Sequence, residues 1–134
     1  MDDNIEEIKA LFREATRLRD TGDLAGAVER LEKALTLEPS RRAPILGVLA
    51  HVYFLSENFE KARICYKEAT ELSPSSELGS LGYFLTLRKL ERYQEAFEEA
   101  ERFLSKNDSK DYILAIEEIV EDFRRWQEQR GNRP

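Results

Sequence analysis

The alternation of apolar and polar positions along the chain predicts seven helices, roughly 4–20, 24–37, 43–55, 59–72, 77–90, 93–105 and 110–129. Asp3 with Glu6 has the spacing of a capping box, and Ser75 or Ser76 is placed to cap the fifth helix. The last helix carries Ile113, Ile116, Val120 and Phe123 on one face, widened by Tyr112, Ile119 and Trp126, with Glu117, Glu118, Glu121, Asp122, Arg124 and Arg125 on the rest. Residues 130–134 read as a frayed tail.

The helices come in pairs. Gly22-Asp23-Leu24-Ala25-Gly26-Ala27, Glu57-Asn58-Phe59-Glu60-Lys61-Ala62 and Glu91-Arg92-Tyr93-Gln94-Glu95-Ala96 align, and their final alanines, Ala27, Ala62 and Ala96, recur at a nearly constant period. A small residue stands well before the first two (Ala15, Ala50), and a large apolar one stands just before all three (Leu24, Phe59, Tyr93). Small residues at these places let two antiparallel helices approach closely, Ala15 facing Ala27. Pro39 and Pro74 lack a backbone N–H and disfavour a helical residue before them, so each closes a second helix.

On these residues the chain resembles the tetratricopeptide repeat (TPR) family. The second copy carries the pattern at Leu46, Leu49, Ala50, Tyr53, Phe59, Ala62, Tyr66, Ala69 and Pro74, and the first at Leu11, Ala15, Leu18, Leu24, Ala27, Leu31, Ala34 and Pro39. The third departs: Phe84 falls on the small position, Ala100 and Phe103 exchange sizes, and Asp108 replaces the proline. A register putting Leu81-Gly82 on the Leu-small pair needs an insertion before Tyr93, and the gapless spacing is preferred. The resemblance implies an all-α fold, a right-handed superhelical stack of helical hairpins. It implies a single domain over 1–134, with repeats at about 8–41, 43–76 and 77–110, a capping helix at 110–129 that covers the apolar end of the stack, and the tail.

Composition narrows the function. At 134 residues, 36% charged and 41% hydrophobic, the chain suits one helix-rich domain and is too apolar for a disordered one. Its net charge of −6 argues against nucleic acid as a partner. The acidic start, Asp2-Asp3-Asn4-Ile5-Glu6-Glu7, differs from the basic start of a signal peptide, and no apolar run reaches membrane-spanning length, so no membrane partner and a cytoplasmic location are expected. One cysteine, Cys65, excludes an internal disulfide and reads as a buried structural thiol.

No phosphate loop, GxGxxG or GxSxG motif is present, and His51, the only histidine, cannot build a histidine metal cluster. No cofactor, metal or catalytic residue is therefore expected. Adjacent acids such as Glu98-Glu99 and Glu117-Glu118 read as solvated faces, because neighbouring helical residues diverge. Three classes of function stay open: a binding module, a structural oligomer built on the last helix with Trp126 as a possible interface anchor, and a small enzyme or enzyme accessory using His51 or an acidic cluster.

The resemblance favours the first. TPR domains bind a protein or peptide segment in a concave groove lined by the first helix of each repeat. The lining positions here are Lys9, Phe12, Thr16 and Arg19, then Pro44, Gly47, His51 and Phe54, then Leu78, Leu81, Leu85 and Arg88. Domains that clamp the C-terminal carboxylates of heat-shock chaperones use Lys, Asn, Asn, Lys and Arg, where this chain has Phe12, Thr16, Val48, Leu78 and Gly82. Such a dicarboxylate tail is thus not expected. The resemblance implies an apolar groove with Lys9, Arg19 and Arg88 at its margins, suited to a protein or helical segment with apolar anchors and acidic flanks, on a monomer or weak homodimer.

Overall fold

The computed structural model describes residues 2–37 and 39–131, and the side chains of all of these except Asp2, Asp3 and Pro39. Its described residues form seven α-helices and no strand: α1 Asp2–Thr21, α2 Leu24–Leu37, α3 Arg42–Leu55, α4 Phe59–Leu72, α5 Glu77–Lys89, α6 Tyr93–Leu104 and α7 Lys110–Gly131. A short 3-10 turn, Pro39–Arg41, leads into α3. The ranges expected for α2 and α4 coincide with those observed. The expected Asp3 cap and residues 132–134 of the tail lie outside what is described, and α7 runs on through Arg130 and Gly131, where fraying was expected.

Helices pair as antiparallel hairpins, α1 with α2, α3 with α4 and α5 with α6, and successive hairpins stack through α2 on α3 and α4 on α5. The alanines foreseen at the crossings, Ala15, Ala27, Ala50, Ala62 and Ala96, are wholly buried. Each hairpin turns on one residue in the left-handed region: Gly22 at φ 94°, Glu57 at φ 61° and Glu91 at φ 58°. Around Glu57 the amides of Ser56, Glu57 and Asn58 donate to the carbonyls of Val52, Phe54 and Tyr53. The same three bonds recur one repeat further on, from Leu90, Glu91 and Arg92 to Thr86, Arg88 and Leu87. Polar caps start the following helices: Asn58 accepts from the Lys61 amide, and Ser76 from the Gly79 amide at 3.2 Å.

The third hairpin is built differently inside. Phe84 is fully buried at the place that Ala50 holds in the preceding repeat, while Ala100 and Phe103 take the places of Tyr66 and Ala69. The exchange makes an aromatic socket for α7. Tyr112 enters it, edge-on to Phe84 (centroids 5.2 Å) and stacked on Phe103 (5.3 Å). Further along α7, Phe123 and Trp126 pack on Tyr93 at 5.4 and 5.3 Å.

Three expectations about α7 and its surroundings are corrected. The face it buries centres on Tyr112, Ala115 and Ile119, with Ile116, Phe123 and Trp126 beside them, whereas Ile113 and Val120 are exposed. Glu118 and Asp122 are not on a free solvated face, because both hold Arg88 of α5, at 3.3 and 2.6 Å. Glu99 is buried rather than solvated: it accepts from Ser80 Oγ at 2.6 Å and pairs with Arg102 at 2.6 Å. Ser80 Oγ also lies 3.0 Å from the Tyr112 hydroxyl, and Arg102 donates to the Pro74 carbonyl at 3.0 Å. A chain of hydrogen bonds thus runs through the socket, and no buried side-chain polar atom among the described residues lacks a partner.

Candidate binding groove

The first helices of the hairpins, α1, α3 and α5, supply one face of the stack, and a pocket of about 540 Å³ opens there. Its walls are Phe12 and Arg19 from α1, Pro44, Gly47 and His51 from α3, and Leu78 from α5. Those six were all named from the sequence. Val48, noted from the sequence only as a clamp position, lines it too, and so do Tyr66, Ala69 and Gly79, which were not expected there. Tyr66 and Ala69 belong to α4, a second helix; Gly82 on α5 leaves room for the Tyr66 ring, with which a Cβ there would collide.

Gly47 decides the size of the pocket. It lies inside α3, away from its ends, and a Cβ built on it meets no atom within 4 Å. Glycine in a helix interior is less favourable than alanine by about 1 kcal/mol. No close neighbour and no left-handed backbone calls for it here, so its structural effect is the open volume above it. Pro44, at the lip, sits in the first turn of α3, where its missing N–H breaks no helical bond.

The remaining predicted positions are elsewhere. Lys9 borders a smaller neighbouring crevice. Thr16 is half-buried and its hydroxyl donates to the Arg13 carbonyl at 2.9 Å. Phe54 packs edge-on to Phe59, centroids 5.2 Å apart, and Leu81 and Leu85 pack against the core. Arg88 is held by Asp122 and Glu118, so it is not a free cation at a groove margin. Trp126 is half-buried against Tyr93 and Phe123, with the Arg130 guanidinium 4.7 Å over its ring. Leu78, by contrast, is 85% exposed.

Burial, and then the nearby Arg19 guanidinium, hold the His51 imidazole below its ordinary value, with Asp20 opposing, so the ring is neutral at pH 7. Among the described residues His51 has no hydrogen-bonded side chain to orient it as a general base. Burial pushes the Cys65 thiol up to about 11, which removes it as a nucleophile at neutral pH. Among the described residues no three His, Cys, Asp or Glu side chains are grouped to hold a metal, and no helix is long and apolar enough to cross a membrane.

The model of the tetratricopeptide repeat matches residues 18–82. The chain is a TPR-like domain. Solved structures agree in fold: the first TPR domain of Spaghetti (RPAP3), bound to the HSP90 peptide SRMEEVD, superposes with a TM-score of 0.77 at 17% identity, over 87% of this chain and 95% of that one. The Sgt2 TPR domain from Aspergillus fumigatus gives 0.79 at 21% identity, over 96% and 85%. The Arabidopsis OM64 TPR domain gives 0.78 at 16%, over 89% and 98%. No curated protein matches the sequence. TPR domains are protein–protein interaction modules and are typically non-enzymatic.

Proposed function

We propose that this TPR-like domain is a cytoplasmic, non-catalytic binding module that holds a segment of a partner protein on its concave face, with an apolar side chain of the segment seated above Gly47. The observation that carries this reading is the open glycine in mid-helix at the pocket, bordered by Phe12, Pro44 and the exposed Leu78. Peptide binding by the Spaghetti domain, a neighbour in fold, supports it. The five positions that would clamp a chaperone dicarboxylate tail hold Phe12, Thr16, Val48, Leu78 and Gly82, so the segment is bound otherwise.

Gly47→Trp tests the reading, because the indole fills the pocket without displacing any atom near the backbone. Proteins captured by the wild-type domain and cross-linked to α3 are expected to be lost with the variant at unchanged helicity. Equal capture by both would remove the concave face as the site. A second reading, self-association through α7, rests on the exposure of Ile113, Leu114 and Val120. It predicts a dimer in sedimentation that Ile113→Lys dissolves, and a monomeric wild type would end it.

A further inference from the structure

Beside the main pocket lies a crevice of about 250 Å³ between α1 and the start of α3, and Phe12 and Pro44 line both. Ile8 and Ile45 complete its apolar lining, and its charged lining residues are Lys9, Arg13 and Arg41, with no carboxylate among them. Elsewhere in this chain of net charge −6, arginines hold acids, as Arg42 holds Glu68, Arg88 holds Asp122 and Arg102 holds Glu99. Here Arg13 and Arg41 have no acidic partner among the described residues. Lys9 has only a 3.6 Å pair with Glu6, both mostly exposed, a contact that contributes little. The N-terminus of α3 adds partial positive charge, since its cap residue Arg41 makes no side-chain hydrogen bond to the helix amides.

Three cations with so little compensation, over an apolar floor and next to an apolar pocket, define a ligand by complementarity. We propose that this crevice receives one or more Asp or Glu side chains of the bound segment, adjacent in sequence to the apolar residue that enters the pocket above Gly47. The partner is then an acidic peptide with an apolar anchor, and its acidic end points to α1, because at the other side Arg88 is already neutralised by α7. This assignment rests on the concave face being the site.

The test is an amide-resolved NMR titration at low salt with the hexapeptide amide Ser-Leu-Phe-Asp-Glu-Glu, and with a counterpart carrying three Lys in place of its acids. The acidic peptide is expected to shift the amides of residues 8–13 and 47–51 together, to bind at least tenfold tighter than the Lys peptide, and to weaken steeply as salt rises. Arg13→Glu with Arg41→Glu, both exposed positions, is expected to reverse the preference, a gain that unfolding cannot imitate. Equal binding of the two peptides, or a double variant that keeps the wild-type preference, overturns the acidic assignment; if Gly47→Trp still abolishes binding, the groove reading survives. If millimolar peptide shifts no concave amide, or Gly47→Trp binds as wild type does, both are overturned.

Discussion

At Gly47 an added methyl group would meet open space, whereas at Gly82, on the next inner helix, it would run into the Tyr66 ring. The same difference extends to whole regions. Around the pocket of α1, α3 and α5, Arg13 and Arg41 stand without acidic partners among the described residues, and Leu78 is almost fully exposed. Around the junction of α5, α6 and α7 the polar groups are matched, Arg88 by two acids, Ser80 by Glu99 and Tyr112, and the rings interlock. Both regions use one hairpin geometry. What separates them is whether the next helix has arrived. The third hairpin has exchanged small for large residues to receive α7, and the end of the stack has become part of the core.

The largest break in that contrast is expected from Tyr112→Ala, which empties the socket between Phe84 and Phe103 and takes the hydroxyl away from Ser80; a loss of about 3–5 kcal/mol is anticipated in urea unfolding. Tyr112→Phe keeps the ring and removes only the hydroxyl, for about 1–2 kcal/mol. A fall under about 1 kcal/mol for Tyr112→Ala would mean α7 is not part of the core.

The paired glycines sharpen the comparison. Gly82→Ala is expected to destabilise by about 1–3 kcal/mol, since the ring it meets is itself buried. Gly47→Ala is expected to stabilise by about 0.5–1 kcal/mol, through helix preference alone. The same sign for both would show that the two regions do not differ in packing.

Acidification is expected to separate the regions by the smallest margin. In the folded state both the His51 imidazole and the Asp122 carboxyl sit below their ordinary values, 6.5 and 3.8, one chiefly by burial, the other by the hydrogen bond from Arg88. Each then contributes stability that is complete above the ordinary value and is lost as pH falls below it. The His51 contribution fades from pH 6.5 downward and that of Asp122 only from about pH 4. His51→Gln is expected to flatten the first part of the melting-midpoint profile and Asp122→Asn the second; profiles parallel to wild type would remove these groups as the cause.

The seven helices were legible because their pattern is local and some of their ends are written in Ser76, Pro39 and Pro74, and their crossings in the alanines. The pocket was legible where it depends on one side chain per helical turn, at Gly47 and His51. Leu81 and Leu85 are half-buried against the core and do not line the pocket, and a groove-facing and a core-facing leucine look alike until the neighbouring helix is set beside them. The face of α7 failed for a related reason. Its apolar residues form two overlapping stripes, Tyr112 with Ile119 and Ile113 with Val120, and only the socket below selects the first. One signal for the socket was present: Ser80 takes the place of Leu46 in the preceding repeat, a polar residue where that repeat has a large apolar one. Its partners, Glu99 and Tyr112, lie on other helices, beyond the reach of any local pattern.

The bond from Ser80 to Tyr112 also has a consequence in time. Of the three hairpins, the first two can bury their alanines as soon as their own helices meet, but the third has an aromatic gap that only α7 fills, with its hydroxyl set against Ser80. In a stack whose stability is a sum over neighbours, this ties the last three helices into one cooperative unit. Their amides would then exchange with solvent together, at a single opening rate, while α1 and α2 open on their own schedule.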